Sequence, residues 1–421
     1  MLFLSPTPYY YYYYYYYPTG LPGVAMSSSP SDVESGMLAH PNLPPSALSL
    51  AAAVSTHEEE ETATVHVHPT TKLEEAEMPL SFEGPEKKLE MEFLVPAHDD
   101  MGFRVLSATE WQTVLDAACC TILSTMSNEY CDAYVLSESS LFVYRHKIML
   151  KTCGTTTLLH VVPLVLQHAS KLGMEISYCF FSRKSLSFPM AQKHPHQCTG
   201  DETDYLDRFF DGNAYILGPL KGDYWFVYQF DADPGRPATI PEVNLEIMMH
   251  DLSPEKMAQF FKKPGLDAKT VSSKSGITDL LPGSRIDEFL FDPCGYSMNG
   301  LLGEAFWTIH ITPEDHCSYV SFETNIQLPK YCDLINQVFS VFEPGRVTVT
   351  VFVDEGALPV PSSVHAFAKS FPGYTMTHRT YHEFDGTYDV TMCNFVQSTR
   401  LSSPSNKSLP SRIDSPNSRD D

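Results

Sequence analysis

Two kinds of spacing alternate along the middle of the chain. The stretch Phe82–Phe93 alternates apolar with charged positions and predicts a strand whose charged residues point outward. Ser107-Ala108-Thr109-Glu110 has the spacing of a helix capping box, and Trp111, Val114, Leu115, Ala118 and Ile122 follow at helical intervals. Strands are expected at 132–143 and 146–153. A helix from about Thr156 to Leu172, stopped by Gly173, leads to a strand near Tyr178–Ser182. That order then returns. Val243–His250 reads as a strand, and Ser253-Pro254-Glu255 opens a helix with serine as cap and proline at its first position. Strands follow at 286–291, 305–312 and 318–324, then a helix at Asp333–Phe342 and a strand at Arg346–Asp354. One αβ unit is used twice, so two sheets, each carrying helices on one face, can pack their other faces together.

The ends differ from this middle. Residues 1–79 open with nine tyrosines, Tyr9–Tyr17, run through Ser/Pro-rich sequence and reach the acidic run Glu58–Glu61. Such low-complexity sequence has too little periodic apolar surface to offset its ordering entropy, so a disordered extension is expected there. Residues 398–421, rich in Ser, Pro and Asn, are expected to form a disordered tail. The folded domain is placed at 80–397. A doubly wound nucleotide fold fits less well, because no Gly-x-Gly-x-x-Gly follows a strand.

Composition narrows the partners. A formal charge of −24 argues against nucleic acid and anionic membrane and suits a cationic ligand. No apolar stretch is long enough to cross a bilayer. The ten cysteines include no Cys-x-x-Cys and no zinc-like spacing, so no metal is expected. In a chain of this size they read as reduced thiols of a cytosolic protein. The first Lys or Arg is Lys72, so a basic signal region is missing as well.

Four strings carry the chemistry. Tyr134-Val135-Leu136-Ser137-Glu138-Ser139-Ser140-Leu141-Phe142-Val143 places a polar turn between two apolar runs, and Leu150-Lys151-Thr152-Cys153-Gly154-Thr155-Thr156 sets a cysteine at a Gly-Thr corner. Far downstream stand Phe291-Asp292-Pro293-Cys294-Gly295-Tyr296-Ser297-Met298-Asn299-Gly300 and Thr308-Ile309-His310-Ile311-Thr312-Pro313-Glu314. Taken alone, Ser297 would be a turn serine and His310 a structural histidine in a strand. Together the strings resemble eukaryotic S-adenosylmethionine decarboxylase, over about residues 80 to 397.

That resemblance implies a four-layer αββα sandwich, an α+β fold built from two pseudo-symmetric αβ halves. It implies that Ser139 attacks the Glu138 carbonyl and that the chain splits into a β chain ending at 138 and an α chain starting at 139. Ser139 would become a covalently bound pyruvoyl group, whose ketone takes the substrate amine as a Schiff base and accepts the electrons released on decarboxylation. His310 matches the base of the elimination, Ser297 a hydrogen-bond donor in the acyl shift, and Cys153 the acid that returns a proton to carbon. Glu83 and Glu86 match an acidic pair needed for activity. Phe82 and Phe291 would sandwich adenine, with cation–π attraction to the sulfonium, Glu138 would line the substrate site, and Glu314 would accept both ribose hydroxyls. A buried acidic site for putrescine matches Glu90, Glu242, Glu246 and Glu323, with Lys151 nearby and Asn244 where threonine is common. Lys88 stands where animal-type members have leucine, so putrescine is expected to stimulate unless Lys88 supplies the charge itself.

The implied activity is decarboxylation of S-adenosylmethionine to the aminopropyl donor of spermidine and spermine synthesis. One alternative is a catalytically dead regulatory paralogue that activates a partner decarboxylase. A second is a thiol hydrolase using Cys153 and His310, which would leave the Ser-Glu-Ser-Ser string unexplained. The family contains dimers and monomers, so a homodimer is open.

Overall fold

In the computed structural model, residues 82–233, 242–354, 371–384 and 388–401 are described. The leader 1–79 lies outside them, as does the tail beyond Leu401. The first half supplies β1 (Lys87–Leu94), β2 (Ile122–Ser127), β3 (Cys131–Leu136), β4 (Ser139–Tyr144), β5 (Lys147–Thr152), β6 (Glu175–Lys184), β7 (Asn213–Leu217) and β8 (Trp225–Asp231). The second supplies β9 (Val243–His250), β10 (Arg285–Leu290), β11 (Tyr296–Leu302), β12 (Ala305–Thr312), β13 (Tyr319–Thr324), β14 (Arg346–Asp354), β15 (Tyr374–Phe384) and β16 (Tyr388–Gln397).

The first sheet runs β2-β3-β4-β5-β1-β6-β8-β7, and the second runs β10-β11-β12-β13-β9-β14-β16-β15. Adding eight to each label of the first order gives the second. The αβ unit used twice is therefore a matter of topology, strand for strand.

Period-two alternation sorts each strand between two environments. Leu89, Met91, Leu150 and Phe181 pack outward under the helices Ala108–Asp116 and Val162–Lys171. Ile247, Met249, Val320 and Phe322 do the same in the second half, under the helix Cys332–Phe342, whose Ile335 and Phe339 join their cluster. The inner faces meet through two apolar patches. In one, Phe142 meets Phe306 with ring centroids 4.7 Å apart. In the other, Phe180 and Trp225 pack near Phe384 and Val390. Between the patches lies a polar band that includes the buried Ser140, Lys151, Glu246, His310 and Glu323. The architecture is a helix–sheet–sheet–helix sandwich with a polar middle.

Several expectations hold locally. Ser107 N donates to Glu110 Oε2 at 2.8 Å and Glu110 N to Ser107 Oγ at 3.4 Å, completing the capping box. Gly173 ends its helix at φ +68°, and β9 and β14 have the expected bounds. Others change. The first helix stops at Asp116, where Ala117–Cys120 turns with Cys119 at φ +61°. Pro254–Met257 is a single turn, with no side-chain hydrogen bond from Ser253. Ser398–Leu401, just past the expected boundary at 397, forms a helical turn. The strand expected from Phe82 begins only at Lys87.

The larger correction concerns direction. Lys88 and Glu90 do not point to water, as an alternating charged strand suggests, but into the second sheet, where Lys88 meets Glu323 and Lys147, the partner of Glu90, meets Glu242. Alternation tells that a face is polar; it does not tell that the face is wet. Among the described residues no helix is long and apolar enough to cross a membrane.

Candidate active site

Ser137 and Glu138 form the two-residue turn from β3 into β4, and Ser139 opens β4 between Leu136 and Thr152. Ser139 has φ +135°, a region that side chains with a Cβ avoid, at a cost of about 1–3 kcal/mol. An ideal strand sends successive side chains to opposite faces. Here both hydroxyls converge. Ser139 Oγ donates to Glu86 Oε1 at 2.9 Å, and Ser140 Oγ lies 3.0 Å from His310 Nε2, itself 3.8 Å from Glu86 Oε1.

The Glu138 carbonyl is gripped from the next strand. It accepts the Cys153 backbone N–H at 2.9 Å and the Cys153 thiol at 3.3 Å. The corner that presents Cys153 is tied down on each side. Thr156 Oγ1 donates to the Cys153 carbonyl at 3.0 Å, Gly154 N to the Glu83 carbonyl at 2.8 Å, and Lys87 Nζ to the Gly154 carbonyl at 2.9 Å. Gly154 has φ +63°, and a Cβ there would stand 3.1 Å from the Phe82 ring, so the position suits glycine.

On the opposite sheet β11 and β12 pair Ser297 with His310 and Asn299 with Thr308. His310 Nδ1 lies 2.9 Å from Ser297 Oγ, and Nε2 lies 2.8 Å from Thr308 Oγ1. Burial pushes the imidazole down to about 4, against the pull of Glu86, so it is neutral at pH 7. Burial pushes the Cys153 thiol well above its usual range, with Glu138 and Glu86 adding to the shift. A neutral imidazole and an undissociated thiol thus line the same cavity.

These groups open on a cavity of about 260 Å³ lined by Phe82, Glu138, Ser139, Cys153, Phe291, Ser297, His310 and Glu314, among others. Eight expected residues from five separate stretches of chain line one space. Glu83 does not line it. Its carboxylate accepts the backbone N–H of Ser187 at 3.0 Å and of Phe188 at 2.6 Å, which makes it an anchor for that loop.

Behind Ser139 the polar band continues as an ion-pair chain. Lys151 Nζ contacts Glu86 Oε2 at 3.6 Å, Glu246 at 3.0 Å and Glu323 at 2.5 Å, and Lys88 Nζ holds the other Glu323 oxygen at 2.5 Å. Lys147 bonds Glu242 and lies 3.3 Å from Glu90, while Asn244 Nδ2 donates to Glu323 Oε1 at 2.9 Å. Burial alone would raise the Glu323 carboxyl, but Lys151 and Lys88 overcome it and hold the group at about 2. All six residues matched to a diamine site fall in this cluster. Lys147 was not anticipated, nor were Lys87, Ser140, Asn299 and Thr308. Lys147, Met149 and Lys151 do share one face of β5, a period-two signal that sequence offers once the direction of that face is known.

A family model described as adenosylmethionine decarboxylase matches residues 79–396. An S-adenosylmethionine decarboxylase proenzyme of Dictyostelium discoideum is 46% identical over 346 residues, covering 80% of this chain and 91% of its own. Proteins of the same description from Drosophila melanogaster and Daucus carota are 43% and 40% identical, covering 66% and 77% of this chain and 84% and 93% of theirs. A crystal structure of a Trypanosoma brucei AdoMetDC-delta26 monomer is 30% identical, with a TM-score of 0.49, and covers 61% of this chain and 98% of that one.

The ion-pair chain generates a stability prediction. Glu323→Ala strands Lys88 and Lys151 without their shared carboxylate and should destabilise the fold by about 3–5 kcal/mol in urea unfolding. Because the folded carboxyl sits at about 2, below about 4.3 for an unfolded glutamate, its contribution is present above pH 4.3 and lost as pH falls through 2. The variant should therefore show a flatter loss of stability across that window than the parent protein. Equal slopes would remove Glu323 as the anchor.

Proposed function

The chain belongs to the adenosylmethionine decarboxylase family, and we propose that it cuts its own Glu138–Ser139 bond and uses the new terminus to decarboxylate S-adenosylmethionine. One observation carries the reading: a serine at φ +135° follows a carbonyl held by two donors of Cys153. In the acyl shift, Ser139 Oγ adds to the Glu138 carbonyl carbon and its proton passes to Glu86 Oε1, which already accepts that hydroxyl. The Cys153 N–H and S–H steady the negative charge on the carbonyl oxygen. The C–N bond then breaks, the proton returns to nitrogen, and an ester replaces the peptide bond. Release of the backbone relieves the strained φ, which favours the forward direction.

Elimination needs the Cα proton of Ser139. The base assigned to it is His310, neutral through burial, with Nε2 3.8 Å from the Glu86 oxygen that holds the Ser139 hydroxyl. The Cβ–O bond breaks, Glu138 leaves as the C-terminal carboxylate of the first fragment, and water displaces ammonia from the dehydroalanine that remains. The resulting pyruvoyl group supplies the ketone that accepts electrons from the substrate carboxylate's departure. The chain's own residues do the rest. Phe82 and Phe291 offer ring faces to adenine and sulfonium, Glu314 accepts ribose hydroxyls, and the undissociated Cys153 thiol can return a proton to carbon. Ser139, Cys153, Ser297 and His310 all line one cavity, which disfavours a dead paralogue.

The second reading concerns putrescine and turns on the charge of the cluster. Three lysines stand among six carboxylates, Glu86, Glu90, Glu92, Glu242, Glu246 and Glu323. The sequence expectation weighed Lys88 and Lys151 alone. Lys147 narrows the deficit, and the cavity beside Lys88, Glu90 and Asn244 is about 30 Å³, the room of one water. Lys88 therefore stands in for one ammonium of the diamine, and putrescine is a partner the site takes only when that side chain is removed. A cytosolic setting is in keeping with ten unpaired cysteines. A homodimer would use the exposed edges of β7 and β15, which end the two sheets and lie side by side within the chain, their Tyr215 and His382 rings 4.9 Å apart.

Fresh protein should run under denaturing conditions as residues 1–138 and 139–421, with a carbonyl at the second fragment's start seen by mass spectrometry. Ser139→Ala should stay whole. A whole, carbonyl-free parent protein would end this reading. His310→Ala should stop at the ester, which hydroxylamine cleaves, whereas Cys153→Ala should process slowly and then decarboxylate about 10²–10⁴-fold less well.

For the cluster, decarboxylation of labelled S-adenosylmethionine should change little on adding putrescine to the parent protein. Lys88→Leu should lower the basal rate and make it rise severalfold with putrescine. Strong stimulation of the parent, with no gain in dependence in Lys88→Leu, would show that Lys88 does not stand in for the diamine.

A further inference from the structure

The hydrogen bonds around His310 determine which ring nitrogen carries its hydrogen. Thr308 Oγ1 lies 2.9 Å from the Met298 carbonyl, which can only accept, so the single hydroxyl proton of Thr308 is committed there. Toward His310 Nε2, at 2.8 Å, Thr308 can then only accept. Ser140 Oγ is placed alike: it donates to Asn299 Oδ1 at 2.6 Å and faces Nε2 at 3.0 Å. Two acceptors therefore converge on Nε2. The lone pair falls on Nδ1, where the hydroxyl of Ser297, 2.9 Å away, donates to it.

This form is ill suited to the steps argued above. Nε2 is the nitrogen on the side of Glu86, and through it of Ser139, yet it already bears hydrogen. Ser297 lines the cavity, yet its proton is engaged by Nδ1. In the other neutral form the ring still carries one hydrogen, now on Nδ1 and directed at Ser297 Oγ. The lone pair then faces the Ser139 side, and the Ser297 proton is free for another acceptor. One relocation of hydrogen within the ring arms both groups.

We infer that Thr308, seconded by Ser140, is a positioning residue that holds His310 in the Nε2–H form and so restrains processing at Glu138–Ser139. The inference rests on the roles proposed above for His310 and Ser297. Thr308 is fully buried and touches neither the scissile bond nor the cavity, so its influence runs through the imidazole. The assignment also separates Thr308 from a residue that merely fills space. A space-filling residue, when disturbed, slows every step. A restraint, when removed, speeds them.

The test uses the uncleavable Ser139→Ala protein labelled with ¹⁵N-histidine, the His310 signals being identified by their loss in His310→Gln. The expected spectrum shows the unprotonated-nitrogen shift on Nδ1 and the protonated shift on Nε2. Adding Thr308→Val, which keeps the shape and removes the acceptor, should move the pair toward the opposite assignment, while Thr308→Ser should not. In the cleavable chain Thr308→Val should process about three- to tenfold faster, the scale of one lost hydrogen bond, and Thr308→Ser at the parent rate. A lone pair on Nε2 in the Ser139→Ala protein overturns the inference, and so does a tautomer indifferent to Thr308→Val. The spectrum needs no cleavage. Failure of the self-cleavage reading, seen as an intact parent chain, is therefore distinguishable from failure of this one.

Discussion

The structure turns on one buried ion pair, Lys151 with Glu323. Both side chains are wholly out of water, one on β5 of the first sheet and one on β13 of the second. Two ions removed from water carry a desolvation penalty of several kcal/mol each, which their attraction offsets only with close geometry and further partners. The surrounding charges are those partners. Lys88 takes the second Glu323 oxygen, Asn244 reinforces it, Glu246 accepts from Lys151, and Glu86 stands 3.6 Å from the same ammonium as an ion-pair neighbour. A slip of one residue in β5 or β13 would send Lys151 or Glu323 to the helix side and leave the other groups without it. The pair thus fixes how the two sheets face each other, and register follows from charge as much as from apolar packing.

Through Glu86 the same pair reaches the chemistry. One Glu86 oxygen accepts the Ser139 hydroxyl and the other lies 3.6 Å from Lys151. The lysine thus sets a positive charge beside the carboxyl group that holds Ser139, within an otherwise buried interior. Strain at Ser139 and the grip of Cys153 on the Glu138 carbonyl act on the same bond from the other side. Substitutions in the cluster therefore bear on processing without touching the scissile bond.

Much of this was legible in the sequence, and the gaps have physical reasons. Ser107 and Gly173 carry their local rules within a few residues, so helix boundaries near them could be read. β11 could not, because Gly295, Ser297, Asn299 and Gly300 have turn chemistry and become a strand only by pairing with β10 and β12. The quoted strings found Ser139, Cys153, Ser297 and His310 because each string is long. They contain Ser140 and Thr308 without marking either, because the His310 contacts of both appear only once the strands are paired and stacked, and they miss Lys147, whose partner Glu242 comes from the second half. Glu83 shows the converse: beside Phe82 in sequence, its carboxylate is turned to the backbone of Ser187 and Phe188.

The repeated topology explains why the site lies between sheets. β4 and β12 are the same strand of the two halves, and they contribute Ser139 with Ser140 on one side and Thr308 with His310 on the other. The counterpart of β5, which leads into Cys153, is β13, which supplies Glu323. Equivalent positions therefore bring different groups to one cavity, Ser139 and Cys153 from the first half and His310 from the second. Neither half alone could place both in a dry space, because its inner face would be open to water, which screens charges and competes for every donor. Docking the sheets excludes that water and at once lowers the basicity of His310 and the acidity of Cys153. Folding and activation of the site are thus one event, and a chain that has not closed its sandwich has no reason to cut itself.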